Sequence, residues 1–139
     1  MKKDYISYYN LKPGDVIIVP KSAFNLIQHH ALYIGYDNHG IHWIIHNTIG
    51  VGVSLITTEE FFTRCSHINK IKRFAGTNEK RRSIVENALE KRGKPYNFIN
   101  YNCEHFISEI KTGKARSTQI ENMTAGILLI LIIGAFVSD

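Results

Sequence analysis

The chain has 139 residues, the size of one ordinary domain. Its 44% hydrophobic and 21% charged residues are the proportions of a folded protein, which excludes a disordered or fibrous chain. The net charge of +5 favours anionic partners, but the basic residues are dispersed and carry no zinc-finger spacing or RNP-like motif, so nucleic acid is not an expected partner.

In chain order, Met1 to Tyr5 is polar, with no apolar run after its lysines. With only Cys65 and Cys103 as cysteines, this argues against a secretory signal and for a reducing, intracellular compartment. Leu11-Lys12-Pro13-Gly14-Asp15 reads as a turn, and Val16 to Pro20 as a short buried strand stopped by proline. Gln28 to Tyr36 and Ile41 to Asn47 read as two strands of a hairpin closed by Asp37-Asn38-His39-Gly40. Val51 to Leu55 adds a strand, and Thr57 to Phe62 a short capped helix. His67 to Phe74 is a further strand candidate. A clearer helix follows, with Asn78 as its cap, Ile84, Val85, Ala88 and Leu89 as its apolar stripe, and Gly93 at its exit. After the Lys94-Pro95-Tyr96 loop, Asn102 caps a helix whose apolar positions are Cys103, Phe106, Ile107 and Ile110, with Gly113 as its stop.

Ala125 to Val137 is uniformly apolar. A buried or oligomeric helix and a membrane-inserting tail both fit it, and the second is favoured because nothing polar interrupts it. As a helix it reaches roughly 20 Å, short of the roughly 30 Å hydrocarbon core of a bilayer.

A thiol at the first turn of a helix meets unpaired amides and the helix dipole, which lower its pKa and favour thiolate. Cys103 occupies such a position, although it also falls on the helix's apolar face, as a structural cysteine would. A nucleophilic thiol needs a base and a group that orients the base. If the hairpin closes symmetrically, Tyr36 lies opposite Ile41 and His46 opposite Ala31. His29 is then one diagonal step from His46 on the same face, roughly 7–8 Å along the sheet. A three-residue turn would shift the register and undo this pairing. His30 points to the other face, and His42 lies nearer the turn. His39 and His67 read as surface or loop residues, and His105 as structural. His29, His46 and Cys103 would also make a zinc set, but no pair has a usual ligand spacing and no carboxylate supports it. No metal is expected.

Asn102-Cys103-Glu104-His105-Phe106 resembles the cysteine motif of the lecithin:retinol acyltransferase-like family, which includes small phospholipase A/acyltransferases. Leu11 to Val16 resembles the family's opening strand, Gln28 to Gly35 its first histidine motif, and Ile44-Ile45-His46 its second. Lys111 to Gln119 resembles its basic connector. The resemblance implies a single α+β domain, an antiparallel β-sheet packed against helices in the circularly permuted, NlpC-type papain-like arrangement. It implies Cys103 as nucleophile, His29 as base and His46 as the orienting residue, with Gln28 and Tyr33 as substrate-binding candidates. It further implies a glycerophospholipid acyl donor and no cofactor. One departure is His30, which stands where an aromatic is usual and leaves the choice between His29 and His30 open.

The expected organisation is an enzyme domain over residues 1–119 and a hydrophobic tail over 120–139. The expected placement is intracellular and membrane-associated through that tail, with a membrane surface as partner. A cysteine peptidase or amidase, and a non-catalytic membrane-associated interaction module, remain alternatives.

Overall fold

The computed structural model describes residues 3–21, 28–65 and 67–137, with side chains through residue 127. In chain order the elements are α1 (Tyr5–Tyr9), β1 (Val16–Pro20), β2 (Gln28–Tyr36), β3 (His42–Thr48) and β4 (Gly52–Thr57). Then come α2 (Thr58–Arg64), β5 (Lys70–Lys72), α3 (Asn78–Glu90), α4 (Cys103–Thr112) and α5 (Thr118–Val137). The strands form one antiparallel sheet in the order β4-β3-β2-β1-β5. The expected α+β class with an antiparallel sheet is what the chain adopts.

Helices cover both faces, which explains why β1 is an unbroken apolar run rather than an alternating one. Val16, Ile18, Leu32, Ile45 and Val53 pack toward α3 and α4, against Ile84, Ala88, Phe106, Ile107 and Ile110. Ile17, Val19, Ala31, Tyr33 and Ile44 pack on the other side, against Phe61 and Phe62 of α2. The short helix α1, which the sequence reading did not anticipate, is capped by Asp4, and its Tyr5 and Tyr9 rings stack on Phe62.

The β2–β3 hairpin reaches its register by two irregularities that cancel. Asp37 donates its N–H to the Ile41 carbonyl (3.0 Å), so the loop holds three residues and Tyr36 pairs with His42 rather than Ile41. Gly40 closes that loop at φ +73°, a left-handed conformation suited to glycine. Alone, this shift would move every side chain of β3 by one position. A bulge between Tyr33 and Gly35 takes it back, and beyond it Tyr33 pairs with Ile44 and Ala31 with His46, as symmetric closure predicts.

Asn78 is the first residue of α3 rather than its cap. Thr77 is the cap, its hydroxyl accepting from the Lys80 N–H at 3.1 Å. Thr57 caps α2 in the same way. The β5 strand is only three residues long, within the wider span expected from His67 to Phe74.

Gly52 marks where the chain between α3 and α4 docks on the edge strand β4. It has φ +83°, and a Cβ there would fall on the Lys94 carbonyl oxygen and within 3.2 Å of the Pro95 Cα. That carbonyl accepts the Val53 N–H, and the Gly93 N–H returns to the Val53 carbonyl. Gly52→Ala combines backbone strain with a clash against main chain, and urea unfolding is expected to show a loss of about 2–4 kcal/mol. A loss under about 0.5 kcal/mol would mean that this close approach relaxes freely.

The intracellular, membrane-associated placement through the carboxy-terminal segment is corrected. Among the described residues no helix is long and apolar enough to cross a membrane. The α5 helix opens with Thr118, Gln119, Glu121 and Asn122, so its apolar part begins late and is short of a bilayer core. Side chains of the apolar run from residue 128 onward lie outside the described residues.

Candidate active site

Asn102 and His105 build the amino-terminal end of α4. The Asn102 side-chain oxygen accepts from the N–H groups of Glu104 (2.9 Å) and His105 (3.1 Å), and the Asn102 N–H donates to His105 Nδ1 (3.1 Å). This reciprocal box gives His105 a structural task and fixes the next residue, Cys103, at the first position of the helix. The thiol lies against β2. Its Sγ donates to the Gln28 carbonyl at 3.6 Å, and the His30 backbone N–H also points at the sulfur.

Strand alternation separates the two adjacent histidines. His30 faces the α4 side, in a groove with Glu104, Lys72 and Lys111. His29 faces the α2 side with His46, and their Nε2 and Nδ1 atoms lie 3.0 Å apart. His46 is held edge-on to Phe61, with ring centroids 6.0 Å apart. The other ring nitrogen of His29, Nδ1, is buried and has no hydrogen-bond partner among the described residues.

The pairing of His29 with His46 is thus formed. The Cys103 thiol is beside the residues flanking His29 but rests on a carbonyl, and among the described residues no hydrogen bond joins it to an imidazole. Gln28 lines the cavity in front of Cys103. Tyr33 does not; it is buried on the α2 side, its hydroxyl 2.6 Å from His42 Nδ1.

Electrostatics here is dominated by burial. Loss of water lowers the His29 pKa to about 3, helped by repulsion from His46, Lys21 and His30. Burial, then Arg64 and Lys21, lowers His46 to about 4. The Cys103 thiol is pushed up by burial, against the opposing pull of the His30 N–H and of Lys21. The expected lowering of the thiol at a helix start is therefore outweighed, because the sulfur is buried. Both rings are neutral near pH 7 and the thiol keeps its proton.

The cavity in front of Cys103 measures about 230 Å³ and mixes apolar and polar walls. Phe98, Ile120 and Met123 supply the first, Lys21, Asn102 and Gln119 the second. Lys21 also borders the groove of His29 and His46, and its ammonium donates to the Tyr96 hydroxyl at 3.3 Å. The sequence reading missed Lys21, Glu104 and Gln119. Glu104 accepts from the Ser117 hydroxyl (3.0 Å), the Thr118 N–H (2.9 Å) and the Gln119 side-chain amide (3.0 Å), which ties the chain after α4 back onto it.

Among the described residues no group of three or more His, Cys, Asp or Glu side chains is placed to hold a metal ion. What the arrangement offers is a thiol at a helix start, a half-buried neutral imidazole whose Nδ1 has no partner among the described residues, and a second imidazole behind it. Those are the parts of nucleophilic acyl chemistry.

Comparison with curated proteins returns no match. A family model described as lecithin retinol acyltransferase matches residues 9–116, which runs from the end of α1 through the sheet, α4 and the connector that follows. That family is NlpC/P60-like in fold, and membership supports acyl-transfer or phospholipase-type activity in general. On a match spanning most of its length, with the sheet and the cysteine helix both inside it, this chain belongs to the lecithin retinol acyltransferase family.

Proposed function

We propose that this protein transfers or hydrolyses acyl groups of glycerophospholipids through a thioester on Cys103. The observation that carries the reading is the His29–His46 pair, in which the buried Nδ1 of His29 has no partner among the described residues, with His29 on the strand whose Gln28 carbonyl holds the Cys103 thiol.

In the resting site the thiol and the rings are neutral, so the sulfur attacks with its proton leaving in the same step rather than as a preformed thiolate. Cys103 turns from the Gln28 carbonyl to His29 Nδ1. For Nδ1 to accept, His29 must carry its hydrogen on Nε2 and donate it to His46 Nδ1, and the 3.0 Å contact suits that tautomer. Sulfur adds to the ester carbonyl as the S–H proton passes to Nδ1. The new oxyanion lies at the start of α4, where the Cys103 backbone N–H stabilises it and the Gln28 side chain borders the same cavity. The tetrahedral adduct collapses, the C–O bond breaks, and the lysolipid alcohol leaves with the proton from His29. Water, or an amine or alcohol acceptor, then gives its proton to His29 and attacks the thioester, releasing the acyl product and restoring the thiol. Lys21 at the mouth supplies a cation for the phosphodiester, and the apolar wall of Phe98, Ile120 and Met123 receives the acyl chain.

The test uses a fluorescent-acyl phosphatidylcholine in mixed micelles, with wild-type protein and Cys103→Ala side by side. Expected are labelled fatty acid and an acyl mass on Cys103, both lost in the variant. An added amine-bearing phospholipid separates transfer from hydrolysis. Folded, micelle-bound wild-type protein that yields neither product nor adduct would sink the phospholipid reading and bring peptide or amide substrates forward.

A further inference from the structure

We propose that Gln119, in the first turn of α5, is a positioning residue of the active site. It holds the peptide of Gln28 against Cys103 and keeps the Gln28 carbonyl satisfied when the thiol leaves it. This rests on the reading of Cys103 as the nucleophile.

The β2–β3 ladder ends at Ala31 with His46, so the first residues of β2 run on beyond the paired part of β3. At Gln28 a side chain takes the place of a neighbouring strand. The Gln28 N–H donates to Gln119 Oε1 (3.0 Å), and Gln119 Nε2 donates to the Gln28 carbonyl (3.4 Å). The same Nε2 donates to Glu104 Oε2 at 3.0 Å, one residue after the cysteine. A single amide thus bridges the residue before His29 and the residue after Cys103. These two backbone segments are far apart in sequence and carry the proposed base and nucleophile.

Among the described residues the Gln28 carbonyl has two donors, the Cys103 thiol and the Gln119 amide. Attack requires the thiol to let go, and a half-buried carbonyl left without a donor is costly. Gln119 removes that cost, so the thiol can swing to His29 Nδ1 while the strand stays in place. Glu104 keeps the amide oriented: it also accepts from the Gln119 backbone N–H (3.3 Å) and from Ser117 and Thr118, and an acceptor at that point forces Nε2 to face it. Ile120 beside Gln119 and Met123 one turn on also line the Cys103 cavity, so α5 begins as a wall of the site.

The experiment compares wild-type protein, Cys103→Ala, Gln119→Ala, Gln119→Glu and the exchange Glu104→Gln/Gln119→Glu. The probe is p-nitrophenyl butyrate, with kcat and KM read separately and the acylation burst followed. Gln119→Glu keeps the acceptor for the Gln28 N–H but loses the donor and sets two carboxylates together; the exchange restores a donor–acceptor pair. Both single variants are expected to lose about 10–100-fold in kcat with KM within about twofold, since positioning is lost while the cavity remains. The exchange is expected to regain about tenfold over Gln119→Glu, a recovery that a general packing role would not give. Single variants with wild-type kcat, or a folded exchange variant no better than Gln119→Glu, would overturn the proposal. If Gln119→Ala does not fold, the other two variants decide. A folded wild-type protein that turns the ester over no faster than Cys103→Ala would overturn the nucleophile reading itself, and this inference with it.

Discussion

Exchanging His29 for alanine is expected to lower kcat for acyl release by about 10²- to 10⁴-fold, the range for loss of a general base. The cause is the resting state of the thiol. Burial keeps Cys103 protonated, so unlike a preformed thiolate it has no reactive form to fall back on when the base is removed. His46→Ala leaves Nδ1 of His29 present but frees Nε2 from its 3.0 Å partner, so the accepting tautomer is no longer enforced. A loss of about 10²-fold is expected there, smaller than for a charged orienting group because His46 is neutral. His30→Phe, which changes the opposite face of the strand and restores an aromatic at that position, is expected to keep kcat within about threefold. The three variants assayed together on the fluorescent phosphatidylcholine check the assignment. A His30 variant as impaired as the His29 variant, with His29→Ala near wild type, would move the base to His30.

Acid is expected to unfold this protein through the same pair. His29 has a folded pKa of about 3 and His46 of about 4, against an ordinary 6.5. Above pH 6.5 both rings are neutral in the folded and the unfolded chain, so they add no pH dependence there. Below 6.5 the unfolded chain binds a proton at each ring while the folded chain resists. Stability therefore falls as pH drops toward the folded values and levels off beneath them. The charges that act on His29 are those of His46, Lys21 and, from the opposite face of the strand, His30, and Arg64 and Lys21 act on His46; all are neutral or cationic, so none favours the charged form. By pH 4.5 the pair is expected to have removed about 3–5 kcal/mol, which is a large part of the stability of a domain this size. Urea midpoints measured from pH 7.5 to 4.5 give the slope, and the double variant His29→Gln/His46→Gln should remove the pair's share of it, leaving that of His30 and His105, whose pKa values burial also lowers. A wild-type midpoint that stays constant over that range would show that the pair is not buried and neutral as described.

Local chemistry was largely legible in the sequence. Val16 to Pro20, the Asn102 cap with Gly113 at the far end, and the Thr57 cap are each set by neighbours within a few residues, and the structure keeps them. The hairpin was legible in its result but not in its route. Symmetric closure gave the Ala31–His46 pairing, whereas the chain uses a three-residue loop and a compensating bulge at Ile34. The bulge follows from burial on both sides: Leu32 and Ile45 must meet α4 while Tyr33 and Ile44 meet α2, and only one register satisfies both.

The sequence by itself determined the main strands and helices and the cysteine at a helix start, because period and capping act over short distances, while α1 and the register that sets His29 and His46 on one sheet face depend on packing. Only the tertiary structure decided the state and support of the site. Whether helix-end amides or loss of water governs the thiol depends on what covers it, and here α4 packed on β2 buries the sulfur and raises its pKa. Likewise no periodicity joins Gln28 to Gln119, 91 positions apart; their contact exists because Glu104 draws the chain after α4 back across the end of the sheet.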